Sequence, residues 1–361
     1  MAYTVGIQAA YGDAMPAHVN RRFLLKVRPT GQVGPEHFDY VEEDVPSPLP
    51  GQALVRTIYL SVDPANRIWM SDIPSYIPPV GVGKVMRGVG LGQIVASERD
   101  DLRAGQLVLG LTNWQDYELA DDTLNEIPFT PLPEHLSVPL THTLGVLGFT
   151  GMTAYFGLND IAKPQSGETV VVSAAAGAVG SIVGQIANLQ GARTIGIAGS
   201  AEKCRWLTDE LGFAAAVNYK EDDWTRQLDA ATPSGVDVYW DNVGGAILEE
   251  ALPRLNLEAR IVLCGLLSQY NSFNADAPPP VGPRNFEQLL MKRVLLKGFI
   301  IFDFARRFPE AQAALADWLS AGKLAHHETV VEGLDRAPEH LSDMFAGSNV
   351  GKLLIHVGDP D

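Results

Sequence analysis

The chain has 361 residues and a formal net charge of −16, a balance that repels nucleic-acid phosphates and argues against a nucleic-acid partner. With 46% hydrophobic and 19% charged residues it reads as a globular chain long enough for two cores, and it contains no apolar run of membrane-spanning length, so no membrane partner is expected. Its two cysteines, Cys204 and Cys264, can build neither a disulfide framework nor a four-cysteine zinc lobe.

The opening, MAYTVGIQAAYGDAMPAHVNRRF, lacks the basic-then-apolar order of a secretory signal, so a cytoplasmic address follows by default. From Phe23 to about Thr141 the text consists of short β-rich pieces cut by Pro and Gly, such as QALVRTIYLSVDP and GQLVLGLTNWQDYELA, which predicts a compact, irregular β domain. From Leu144 to Leu319 strands alternate with helices. The six strands TVVVSA, TIGIAG, AAVNY, VDVYWDNVG, RIVLCG and VLLKGFII predict an α/β unit built on a doubly wound parallel sheet. The tail from Lys323 returns to the β-rich style, so the division expected is 1–140 plus 323–361 for the β domain and 141–322 for the α/β domain inserted in it.

The first of those strands, Val170–Val172, is wholly β-branched and runs into Ala175-Ala176-Gly177-Ala178-Val179-Gly180, an AxGxxG turn. Gly177 lets a pyrophosphate approach the backbone and Gly180 lets the following helix meet the sheet. A second strand follows at the βαβ distance, so the turn predicts dinucleotide binding even without a first glycine. Val179, Ile182, Val183 and Ile186 then recur at helical spacing and should pack on the sheet.

An acidic residue at the end of the second strand would accept hydrogen bonds from the ribose hydroxyls of NAD and repel a 2′-phosphate. Here the strand ends Ala198-Gly199-Ser200-Ala201-Glu202-Lys203, which offers a hydroxyl, a helix start and an ammonium, so the cofactor expected is NADPH. Glu202 should point away along the first helical turn. The loop Leu266–Arg284, with Pro278-Pro279-Pro280, leaves the ligand end of the fifth strand and is expected to form a substrate-side lid.

Taken together, AAAGAVGSIVGQIA, GSAEKCRWL, GFAAAVNYK, WDNVGG, CGLLSQYN and SNVGK, with LSVDP, PSYIPPVGVGKVM, WQDYEL and GMTAYFGL upstream, are similar to the zinc-independent medium-chain dehydrogenases/reductases. The group they resemble is that of the leukotriene B4 dehydrogenase/prostaglandin reductases and curcumin reductases, over most of the chain. The resemblance implies a Rossmann sheet inserted into a GroES-like β-rich domain, a homodimer, and NADPH-dependent reduction of the carbon–carbon double bond of α,β-unsaturated ketones and aldehydes. It places the pyrophosphate at Gly177, Ala178, Val179 and Gly180, and the 2′-phosphate between Lys203 and Tyr219, with Ser200 beside them. Asn242 becomes a ribose contact. Cys264, Gly265, Leu266, Ser268 and Tyr270 line the nicotinamide, which Phe299, Ile300 and Ile301, at the end of strand six, flank. Thr153 contacts the same end, and Asn349 reaches back from the tail.

Two departures stand out. Zinc-dependent relatives carry Gly-His-Glu where this chain reads Met86-Arg87-Gly88-Val89-Gly90, so no metal is expected, and His142, His326, His327 and His356 read as surface or structural. The group's Asp-Pro-Tyr-Met-Arg is here Asp63-Pro64-Ala65-Asn66-Arg67, which removes a tyrosine from the substrate side.

Enone reduction places hydride on the β-carbon while charge grows on the carbonyl oxygen, so it calls for a donor at that oxygen. Tyr270 is the candidate, with solvent or a tyrosine supplying the final proton and Tyr76 as a substrate contact from the β domain. A quinone reductase of the same superfamily, or a non-catalytic NADPH-binding protein, would carry the same cofactor motifs.

Overall fold

The computed structural model describes residues 19–123, 125–136, 138–273 and 282–360. The start of the chain and the central part of the expected lid, including Pro278–Pro280, lie outside the described residues. Among the described residues no helix is long and apolar enough to cross a membrane.

The N-terminal part supplies β1 (Val19–Leu25), β2 (Phe38–Asp44), β3 (Ala53–Ser61), a short helix α1 (Ala65–Trp69), β4 (Gly90–Ser97), β5 (Leu107–Gly110), β6 (Tyr117–Ala120) and β7 (Thr130–Pro131). A helix α2 (Phe149–Phe156) leads into the alternating part. There β8 (Thr169–Val172), α3 (Ala178–Leu189), β9 (Arg193–Ala198), α4 (Ala201–Asp209), β10 (Ala215–Asn218), α5 (Trp224–Ala231), β11 (Val236–Asp241), α6 (Gly245–Ala251) and β12 (Leu255–Leu263) succeed one another. Next come α7 (Glu287–Met291), β13 (Leu295–Gly298) and α8 (Phe308–Ser320), and the tail adds β14 (Glu328–Glu332), α9 (Ala337–Ala346) and β15 (Lys352–His356).

The six strands from β8 to β13 form one parallel sheet in the order β10-β9-β8-β11-β12-β13, with the order reversing at β8. Val170 and Val172 of β8 face a core layer shared with Ile182, Val183 and Ile186 of α3, while Val171 faces the opposite layer with Leu228 of α5 and Leu248 of α6. An unbroken β-branched run suits a strand covered on both faces. Each such buried aliphatic side chain contributes about 1.5–3 kcal/mol of apolar burial.

The second sheet runs β14-β15-β3-β4-β5-β7, with β6 also paired to β3, so the last strands of the chain complete a sheet begun by its first hundred residues. Their core is common too, since Phe23, Leu60, Trp69 and Trp114 pack with Leu334, Leu341, Leu353 and Ile355.

Strand six is shorter than its apolar text suggests. The strand β13 stops at Gly298; Phe299 and extended Ile300 follow outside it, and Ile301 opens a 3₁₀ turn reaching Arg307. The Asp303 carboxylate accepts the Ile300 N–H and turns the chain there, so Phe299, Ile300 and Ile301 are not strand residues. Cys264 and Tyr219 likewise lie just beyond the strands they follow.

Candidate active site

The ligand edge of the parallel sheet is assembled from the ends of β8, β9, β11, β12 and β13. At β8 the chain passes through Ala174 with φ +48 and enters α3 with Gly177 as its N-cap. Gly177 caps α3 without a side chain, which leaves the first-turn N–H groups of Ala178, Val179 and Gly180 available to an anion. A Cβ on Gly180 would stand 2.4 Å from the Ala174 carbonyl oxygen, so only glycine allows the helix so close to the turn. The missing first glycine has a local explanation. Ala175 is buried, and its methyl would be met at 3.0 Å by a Cβ on Gly196 of β9; glycine on the neighbouring strand makes the room.

At the end of β9, Ser200 caps α4 by accepting the Lys203 N–H at 3.2 Å, and exposed Glu202 sits in the helix's first turn. The Lys203 Nζ donates to the Gly347 carbonyl of the tail at 2.7 Å, and burial followed by the neighbouring Lys220 lowers its pKa. Lys220 Nζ lies 6.0 Å from the centre of the Tyr219 ring, and that ring lies against Gly199. Two ammonium groups and a phenol therefore meet at a strand end where, among the described residues, neither lysine has a salt-bridged carboxylate. Like charges gathered beside a helix start fit a 2′-phosphate. Lys220 is an addition to the residues singled out from sequence; its signal was its position directly after Tyr219.

After β11, the Asp241 carboxylate is buried and its Oδ1 accepts from the Ser173 hydroxyl and the N–H groups of Val243 and Gly244. This fixes the turn that carries Asn242. The Asn242 amide donates to the Ser173 carbonyl at 2.7 Å and accepts from the Trp240 indole at 3.0 Å, leaving one N–H and one lone pair for a ribose. Cys264 and Gly265 donate their N–H groups to the Asp241 carbonyl, and Ser268 is tied to the Val243 carbonyl by both its N–H and its hydroxyl. Burial and Asp241 push the Cys264 thiol up to about 12, which keeps it protonated.

The segment closes on Tyr270, which is 8% exposed and whose hydroxyl accepts the Leu266 N–H at 3.0 Å. Burial raises this phenol to about 12. Gly351 of the tail donates its N–H to the Ala176 carbonyl in the glycine turn, and the Asn349 amide donates to the Gly351 carbonyl, so Asn349 stands over that turn. Thr153 is half-buried in α2.

A cavity of ≈ 490 Å³ opens between the two halves. Cys264, Gly265, Leu266, Tyr270, Phe299 and Ile300 line it from the sheet side, and Ile68 and Tyr76 face them from the β half. Ile301 and Ser268 are not on its wall. Tyr76 is 43% exposed, and its hydroxyl accepts the indole N–H of Trp69 at 3.0 Å. Arg67, wholly buried, joins the halves by donating to the carbonyls of Pro29, Gly31 and Asn271, the last next to Tyr270. Desolvation brings this guanidinium down to about 10. Trp69 and Arg67 were not legible as site residues, since neither contact follows from spacing along the chain. Among the described residues no three His, Cys, Asp or Glu side chains come together as a metal site. His326 is a structural residue paired with Glu328 at 2.8 Å.

Residues 21–126 match the family model described as the N-terminal domain of oxidoreductase, and residues 178–318 match that described as zinc-binding dehydrogenase. The NADPH-dependent curcumin reductase of Escherichia coli is 44% identical over 345 residues, covering 95% of this chain and 98% of that protein. The NADP-dependent 2-alkenal reductase of Nicotiana tabacum is 35% identical over 343 residues, covering 94% and 97%. The crystal structure of CurA from Vibrio vulnificus in complex with NADPH superposes with a TM-score of 0.88 at 42% identity, over 94% of this chain and all of that one. The chain belongs to the medium-chain dehydrogenase/reductase family, in the zinc-independent group that holds the curcumin, 2-alkenal and prostaglandin reductases.

Proposed function

We propose that the protein is an NADPH-dependent oxidoreductase that reduces the carbon–carbon double bond of α,β-unsaturated ketones and aldehydes, adding hydride to the β-carbon without a metal. The observation that carries this is the pair of phenols, Tyr76 and Tyr270, on opposite walls of one cavity beside the sheet's ligand edge. Each oxygen already accepts a bond from an N–H group, so each O–H is left to donate inward. Burial raises both phenols and keeps them protonated.

When bound, NADPH supplies hydride. Gly177 to Gly180 would hold its pyrophosphate, Lys203, Lys220, Tyr219 and Ser200 its 2′-phosphate, and Asn242 and Asn349 its ribose. Thr153, Cys264 to Leu266, Phe299 and Ile300 would border the nicotinamide. Tyr270 donates to the substrate's carbonyl oxygen as negative charge develops there. Tyr76 donates its proton to the α-carbon and recovers one from water. Residues 141–322 thus serve the cofactor, and 1–140 with 323–361 close the substrate side, a division supported by the sheet that β14 and β15 share with β3.

The test uses an aryl enone and a benzoquinone in parallel, with NADPH deuterated at C4. The expected product is the saturated ketone carrying deuterium at the β-carbon. Deuterium at the carbonyl carbon, oxidation of NADPH by the quinone alone, or NADPH binding without turnover on any enone would each overturn the assignment.

The homodimer is part of the same proposal. Among the described residues the strand β13 pairs only with β12 and leaves its other edge open, and beside it Leu290 (73%), Met291, Phe286 and Leu295 (52%) are exposed. An open edge flanked by apolar side chains suits a second copy of itself across a two-fold axis. Light scattering after gel filtration should give twice the chain mass for the native protein and the single-chain mass for Leu290→Lys/Leu295→Lys. A monomeric native protein, or a dimer untouched by the double substitution, would rule this surface out.

A further inference from the structure

The loop that carries Tyr76 is held from beneath by α1. Trp69 is 5% exposed, and its indole N–H, which can only donate, is spent on the Tyr76 oxygen. The direction of that bond is therefore fixed: Tyr76 accepts, and its own proton is left for the cavity. The indole is itself clamped. The Arg87 guanidinium lies 5.7 Å from the centre of the Trp69 ring, donates to the Pro78 carbonyl two residues after Tyr76 at 2.8 Å, and pairs with Glu126 at 2.5 Å. The Asn66 amide holds the Arg87 carbonyl at 2.9 Å while its oxygen accepts the Asp63 N–H. Asn66, Trp69 and Arg87 thus tie α1 and the Tyr76 loop into one unit. Ala65, where the family's motif has tyrosine, leaves α1 without a phenol at that position; four residues on, Trp69 provides a hydrogen bond to a phenol on the neighbouring loop instead.

We propose that Trp69 is a positioning residue for proton transfer: it aims the Tyr76 hydroxyl into the cavity and stabilises the phenolate that remains when the proton has left. In that step the Tyr76 O–H bond breaks and a C–H bond forms at the substrate's α-carbon from the enolate electron pair. The phenolate is then reprotonated by water. The Trp69 hydrogen bond, and more weakly the Arg87 charge, act to lower the pKa that burial and the Asp63 carboxylate raise. The assignment rests on Tyr76 being the proton donor.

Three variants test it by enone turnover at saturating NADPH in H2O and D2O: Trp69→Phe, Tyr76→Phe and the two combined. Trp69→Phe is expected to lower kcat about 10-fold, the scale of one hydrogen bond. It should also increase the solvent isotope effect and leave the KM for NADPH unchanged, and the combined variant should match Tyr76→Phe alone. If the two losses multiply, Trp69 acts by general packing and the positioning role is wrong. If Tyr76→Phe by itself changes neither kcat nor the isotope effect, the donor assignment fails first and this one with it. Should Trp69→Phe not fold, 3-benzothienylalanine at position 69 keeps a fused bicycle of the same shape and puts sulfur in place of the N–H, with the same outcomes expected.

Discussion

Tyr270→Phe should lower kcat for enone reduction by roughly 10²–10³-fold, the loss of about 2.7–4 kcal/mol seen when a single oxyanion donor is removed. The substitution deletes one oxygen from a ring packed at 8% exposure, and the backbone turn that supports it survives, because Gln269 and Phe273 keep their own hydrogen bonds. The dissociation constant of NADPH should shift by no more than a few-fold, since among the described residues the missing oxygen serves as acceptor for the Leu266 N–H alone. Burial holds the phenol at about 12, so native kcat should stay level through about pH 10, where an ordinary tyrosine would be half ionised. Stopped-flow turnover with titrated NADPH separates the two quantities. A kcat within twofold of native would retire Tyr270 as the donor.

Lys203→Ala should weaken NADPH by about 10–100-fold and leave NADH nearly unchanged. A charge-assisted hydrogen bond contributes about 1.5–3 kcal/mol, and each 1.4 kcal/mol is tenfold in affinity. NADH is the internal control, because it shares every interaction except that of the 2′-phosphate, including any effect of removing the Gly347 bond. Raising the salt concentration should erode the native preference in the same direction. Equal losses for both cofactors would show that Lys203 serves only to fasten the tail.

Much of the architecture was legible because it is written in contiguous text. Each strand of the parallel sheet is a short, largely apolar piece of contiguous text, and β8, all β-branched, could be read at Val170–Val172 as buried on both faces without knowing its neighbours. The cofactor class was legible for a similar reason, since Gly177 and Gly180 lie in one βαβ unit and Lys203 in the first turn of the helix directly after it. The text failed where the deciding contact is remote. Phe299 to Ile301 look like strand, but the carboxylate of Asp303 turns the chain. The Lys203 bond to Gly347 spans 144 positions, and nothing near either residue announces it. Trp69 and Tyr76 lie seven apart, and their hydrogen bond depends on how a five-residue helix is set against a proline-rich loop. Such distances are fixed by tertiary packing, which local patterns do not encode.

The placing of β15 between β14 and β3 sets an order on assembly. The cofactor half is an uninterrupted stretch whose parallel sheet is complete once residue 298 has been made, and its strand pairings are mostly between near neighbours in sequence. The other half pairs Leu60 with Ile355, a closure of nearly three hundred positions. During synthesis the Tyr59–Ser61 end of β3, beyond the part that β6 pairs, therefore lacks its second neighbour until residue 356 has been made, and the nascent chain holds a finished nucleotide fold beside an unfinished sheet.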